Sequence, residues 1–248
     1  MSFYYGPYVR VAEKTRIAKA RVRQLQKAGV DVHPIEAFKG AIATTFWGKS
    51  WCDNLTSYAD FENRISRGRS YIRNGLICDL HIERGALHGI VSGSTLYHVD
   101  IAIEMMKASG WEALCNRVQG QIGSLMDLLQ GKFSKNLMTE VCNPDYGLFP
   151  KPSEMELSCS CPDWAKMCKH VTACLYAVGR LLDTKPECLF TLRGVDASDL
   201  FAAADLDVPD ATDTAFDGTD MGELFGIDLE EEEPAKSQQK SKKNKSNV

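Results

Sequence analysis

The stretch "CSCPDWAKMCKH" gathers three cysteines and a histidine into residues 159–170, in a chain with nine Cys and five His over 248 residues. Cys159, Cys161, Cys168 and His170 form a C-x-C, loop, C-x-H pattern. Three thiolates and an imidazole are the donor set of a closed tetrahedral zinc site, in which no position is left for water. On a strand, side chains two apart share a face, so Cys159 and Cys161 can present two sulfurs to one ion. Pro162 ends such a strand, and Asp163 to Met167 turn the chain into a helix that begins near Cys168. A thiol in the first turn of that helix is favoured as thiolate by the partial positive charge there. Asp163 or a backbone carbonyl is the expected orienting partner of His170.

Two other chemistries use the same residue types. Cys159 and Cys161 are too close in sequence for a comfortable disulfide. A nucleophilic Cys168 with His170 as base would need a third orienting group and a pocket, and the pattern offers neither. Cys174, one helical turn after His170, reads as a small core residue, and Cys52, Cys78, Cys115, Cys142 and Cys188 sit in apolar contexts as buried thiols. No paired carboxylates at metal spacing, phosphate loop or nucleophile elbow is evident, so the expectation is a binding protein, not an enzyme.

A second group of residues suggests a ligand. "ENRISRGRSYIRNG" (62–75) interleaves Arg64, Arg67, Arg69 and Arg73 with Tyr71 and two glycines. Guanidinium groups bind phosphates, tyrosine stacks on bases, and flexible glycines let a backbone come close, so this stretch is the candidate nucleic-acid surface. The alternative is a solvated loop whose arginines pair with acidic residues elsewhere. Net charge is −4, yet the signs are segregated. The region from Arg10 to Arg84 is basic, the region from Asp196 to Glu233 contains no Lys or Arg, and the end "AKSQQKSKKNKSNV" reverses sign again. The acidic segment can occupy the basic surface in place of a polyanion, or its apolar set "MGELFGIDL" (221–229) can fold as an amphipathic helix on a partner.

These sites need elements to hold them. "VAEKTRIAKARVRQLQKAG" (11–29) has helical spacing with a glycine stop at Gly29. "FWGKSWCDNLTSYADF" (46–61) places Trp47 and Trp51 one helical turn apart, as core anchors. "LICDLHIERGALHGIVSGSTLYHVDIAI" (76–103), punctuated at Gly85 and Gly93, reads as a three-stranded antiparallel meander. Two or three short helices follow over 110–142, then a loop, a short strand to the CxC, and a helix over 169–182. The resulting expectation is an α+β fold. It comprises an N-terminal region (1–144), a compact ββα-like metal module (145–182), a helical extension (183–204) and a disordered acidic, then basic, tail (205–248). The clustered, odd cysteine count and the absence of a charged-then-apolar leader in "MSFYYGPYVRVAEKTR" point to a reducing, cytoplasmic setting, and no apolar run is long enough to span a membrane.

The ligand order, with Trp164 in the loop and "CKHVTACLYAVG" behind it, resembles the SWIM-type zinc finger. The phrases "FWGKSWC", "RGRSYIRNG", "CPDWAKMCKHV" and "LFTLRGVD" are similar to those of small bacterial stand-alone SWIM proteins, so the resemblance covers most of residues 40–200. It implies one structural zinc on Cys159, Cys161, Cys168 and His170. It also implies a SWI/SNF-type helicase as a candidate partner, and with the basic stretch 62–75 the expected role is a nucleic-acid-binding accessory protein, with DNA ahead of RNA as the ligand. A protein-interaction adaptor docking on that helicase is the alternative. The acidic segment and lysine-rich end have no counterpart in the resemblance.

Overall fold

The computed structural model describes residues 9–57, 62–119, 121 and 135–202. The chain from position 203 onward, including the expected disordered tail (205–248) and the 221–229 segment, lies outside the described residues, as do positions 120 and 122–134 of the expected helical stretch.

A four-stranded antiparallel sheet lies at the centre, in the order β1-β2-β3-β4. Its strands are β1 (Ile77–Glu83), β2 (Ala86–Ser92), β3 (Leu96–Ile103) and β4 (Met155–Cys159). The first three are the meander read from the sequence. The β1–β2 turn passes through Gly85 at φ 72°, a left-handed conformation that suits glycine. β4 arrives from far along the chain and pairs with β3, Val99 opposite Cys159 and Ile103 opposite Met155. The segment that leads into the cysteine cluster, ending at Cys159, is therefore the outer strand of the same sheet.

Helix α1 (Val11–Lys27) covers one side of the sheet near its β1–β2 end, where Ala18 is buried with Leu76 and Cys78. It stops as its sequence predicts: Gly29 takes φ 81°, and the Val30 N–H reaches back to the Leu25 carbonyl. The other side is covered by α6 (Lys169–Leu181), whose residues from His170 to Gly179 are all buried. Around α6 pack α2 (Phe46–Ser57) and α3 (Glu62–Arg73). Trp47 and Trp51 are core anchors, and the Trp51 indole N–H donates to the Leu175 carbonyl at 2.7 Å. Helices α4 (Ala108–Val118), α5 (Lys135–Val141), α7 (Glu187–Arg193) and α8 (Asp199–Ala202) complete the described structure.

Small residues set how closely these helices approach. A Cβ on Gly68 of α3 would sit 2.5 Å from the Thr172 Cγ2 of α6, and one on Gly48 of α2 would sit 2.3 Å from the Gly179 carbonyl oxygen. The stretch around Gly68, expected to be flexible, is a helix: Ile65, Gly68 and Ile72 recur at helical spacing and are buried against α6. Its glycine is there for contact, not for mobility. The second glycine, Gly75, ends the segment at φ 64° with the Ala37 backbone alongside.

Candidate metal centre

Four donor atoms converge where β4 meets the start of α6. The Sγ atoms of Cys159, Cys161 and Cys168 and a ring nitrogen of His170 all lie within 4.8 Å of one another. His170 Nδ1 is 3.7 Å from Cys159 Sγ and 3.9 Å from Cys168 Sγ. Around a tetrahedral ion with metal–sulfur and metal–nitrogen bonds of ordinary length, such pairs stand about 3.6 Å apart, so the donors need only close slightly. The cluster can hold one metal ion, and the donor set fits a thiophilic one. All nine cysteines are free of disulfides.

Local structure explains the convergence. β4 ends at Cys159, so Cys161 lies just beyond the strand instead of on it. The ladder is continued by Ser160, whose N–H donates to the His98 carbonyl at 2.9 Å and whose Oγ accepts from the His98 N–H at 3.0 Å. Pro162 then turns the chain. Cys168 is the N-cap of α6, and His170 is at its start, wholly buried. Cys174 stays out of the cluster and packs on Gly89 of β2, where an added Cβ would lie 2.6 Å from its Sγ.

The electrostatics single out Cys168. Its thiol is held well below the ordinary cysteine range, first by the hydrogen bond from the Cys159 thiol and then by His170 and the N–H groups of Val171 and His170, against the opposing effect of burial. The same bond with Cys168 pushes Cys159 upward, and burial raises Cys161. Elsewhere burial dominates: Cys52 is pushed up to about 12, and Cys78, Cys115 and Cys142 to about 11.

His170 is oriented by rings. Tyr97 stacks on it with centroids 4.4 Å apart, and Tyr71 meets it edge-on at 5.3 Å. Its Nε2 is buried without a hydrogen-bond partner among the described residues. Asp163, expected to orient His170, instead forms an ion pair with Arg64 and accepts the Ala165 N–H at 3.3 Å. It fixes the loop, not the imidazole. Trp164, between Cys161 and Cys168 on that loop, is 81% exposed.

The basic residues of α3 are distributed differently from a free phosphate-binding strip. Arg64 is 17% exposed and tied to Asp163. Arg69 donates to Thr56 Oγ1 at 2.8 Å and lies over the Tyr176 ring. Arg73 Nε donates to the Gly40 carbonyl at 3.3 Å, and Tyr71 is half-buried against His170. Arg67 is exposed. Sequence reasoning missed the clamp between Arg64 and Asp163 and the stacking of Tyr97. Only the helical spacing of Ile65, Gly68 and Ile72 could have signalled the first.

The structure thus defines an α+β protein whose sheet and central helix bring together a Cys3His cluster able to hold one metal ion. The chain is similar to an uncharacterized protein, Rv2102, of Mycobacterium tuberculosis: 31% identity over 167 residues, covering 66% of this chain and 60% of that protein. The matched part spans less than two thirds of the relative's length. No family model matches the chain. No solved structure matches it. Among the described residues no helix is long and apolar enough to cross a membrane.

Proposed function

We propose that the cluster holds one structural zinc ion and that the loop it fixes is a SWIM-type finger of a nucleic-acid-binding accessory protein. Zinc is favoured by three thiolates and one imidazole at tetrahedral spacing, with no position left open for substrate. The observation that carries the binding role is Trp164, an 81% exposed indole on a loop held at both ends by ligands and pinned by the Arg64–Asp163 pair. An aromatic on a rigid support stacks on a base at little entropic cost. Exposed Lys166 and Arg67 and half-exposed Lys169 supply phosphate-binding charge around it. On this reading the chain binds and does not catalyse.

The internal engagement of Arg64, Arg69 and Arg73 favours a second reading, an adaptor that docks Trp164 on a protein such as a SWI/SNF-type ATPase. Salt separates the two. Anisotropy with fluorescent DNA and RNA oligonucleotides should show binding that falls steeply with added salt, and Trp164→Ala should weaken it by about 1–3 kcal/mol, the worth of one stacked base. Absence of oligonucleotide binding at low salt, or an unaltered affinity in the variant, rejects the nucleic-acid role. A nuclease-resistant complex with an ATPase in a pull-down would support the adaptor.

A further inference from the structure

A second cluster lies at the outer edge of the sheet, on β1. Asp79 and His81 are two apart on this strand, and the segment 31–35 runs beside it: the Ile35 N–H donates to the Ile77 carbonyl at 3.2 Å and the His33 N–H to Asp79 Oδ1 at 2.7 Å. This brings the donor atoms of His33, Asp79 and His81 within 4.8 Å of one another. His81 Nε2 is 3.1 Å from Asp79 Oδ2, and the two imidazoles meet edge to face at 4.7 Å. The strand pairing shifts between Ile77 and Asp79, the kind of irregularity that re-aims side chains beside functional sites.

The carboxylate is the informative member. Asp79 is 5% exposed, and among the described residues its ion-pair partner is His81, with neither Lys nor Arg against it. A carboxylate withdrawn from water is stabilised by a cation, and a divalent ion held between it and two imidazoles provides one. His33 and His81 border a cavity of about 470 Å³, also lined by Lys185 and Cys188, with the buried Asp79 carboxylate behind them. Three protein ligands, two of them on the cavity wall, leave coordination positions for an exogenous ligand, unlike the four-donor cluster at β4.

We propose that His33, Asp79 and His81 form a second metal site, for a divalent first-row transition ion with imidazole and carboxylate ligands and its remaining positions open to that cavity. Water or an anionic oxygen ligand completes the shell, with Lys185 on the cavity wall to favour the anion.

The test uses the full, reduced chain with its metal content first measured by elemental analysis, then titrated with Co²⁺ under argon by equilibrium dialysis and absorption. A site without sulfur ligands takes up one Co²⁺ per chain with weak d–d bands and no added thiolate-to-cobalt charge-transfer band. His33→Ala, at an exposed position, should weaken that uptake at least about tenfold, the loss of 1.4 kcal/mol or more. Asp79→Asn, which keeps an acceptor for the His33 N–H, should do the same. Circular dichroism would show both variants folded. No uptake beyond the thiolate-bound ion, or uptake unaltered in both folded variants, overturns the proposal.

Discussion

At the scale of single residues, the contacts that hold the cluster are as specific as the ligands. Arg64 is half-buried and its ion pair keeps Asp163 at the root of the ligand loop. Arg64→Met removes that partner and leaves a poorly solvated carboxylate, so the loop should loosen while all four ligands remain. Metal affinity should fall by about 10–100-fold, the usual effect of losing an outer-shell support, as measured by competition with a chromophoric chelator. Unchanged affinity would show that the ligands alone set the geometry. Gly68 makes a different point. Alanine is the better helix former by about 1 kcal/mol, yet a methyl group 2.5 Å from Thr172 must displace α3 from α6. Overpacking typically costs about 1–3 kcal/mol, so Gly68→Ala should lower the urea midpoint in spite of the propensity gain.

At the scale of elements, two polar clamps join parts distant in sequence. Arg21 of α1 donates through Nη1 to Ser92 Oγ and to the Gly93 and Thr95 carbonyls, and through Nη2 to the Ser94 carbonyl. One guanidinium thus ties the first helix to the β2–β3 turn, and Arg21→Lys cannot reproduce the fork. Asp183, after α6, accepts from the N–H and hydroxyl groups of both Thr44 and Thr45 at 2.7–3.0 Å, just ahead of α2. Burial raises the Asp183 carboxyl, but those bonds outweigh it and the net shift is downward. A carboxyl held below its unfolded value contributes stability that is fully present above that value and lost as pH falls through the folded one. Asp183→Asn should therefore be less stable than the parent at pH 7, and the difference should shrink in acid. Urea titrations at both pH values check the sign.

Most of these elements were legible because their signals are local. The period of α1 with Gly29, the meander with Gly85, and the Trp47–Trp51 pair each appear in the structure where the sequence puts them. The gathering of Cys159, Cys161, Cys168 and His170 was legible for the same reason, since all lie within twelve consecutive residues. Pairing between distant segments was not legible. Nothing in "MELSC" names β3 as its partner, and the arginines of 62–75 look free until Asp163, Thr56 and Gly40 are placed against them. The cluster on β1 escaped because His33 is separated by 46 positions from the carboxylate that its N–H meets.

At the scale of the whole molecule, the Cys3His cluster is not an appendage. Its first ligand ends a strand of the main sheet, and its last opens the helix buried between that sheet, α2 and α3. With the cluster holding an ion, as proposed, its withdrawal would leave three sulfurs and a buried imidazole crowded together at the edge of this core. Chelation should consequently lower the melting temperature of the described fold as one transition, instead of fraying a peripheral finger. Hydrogen exchange resolved by residue would check this, with protection lost in β3 and α6 together. Loss confined to 159–170 would mean that the sheet stands without the metal.

The late arrival of β4 has one more consequence, for synthesis. Until the ribosome has released residues 155–159, β3 has a bare row of backbone donors and acceptors, and a nascent chain that stalls there carries an open template for aggregation. The segment that closes this edge is followed at once by the cysteines, so sealing the sheet and assembling the ligand set fall within the same few moments of translation.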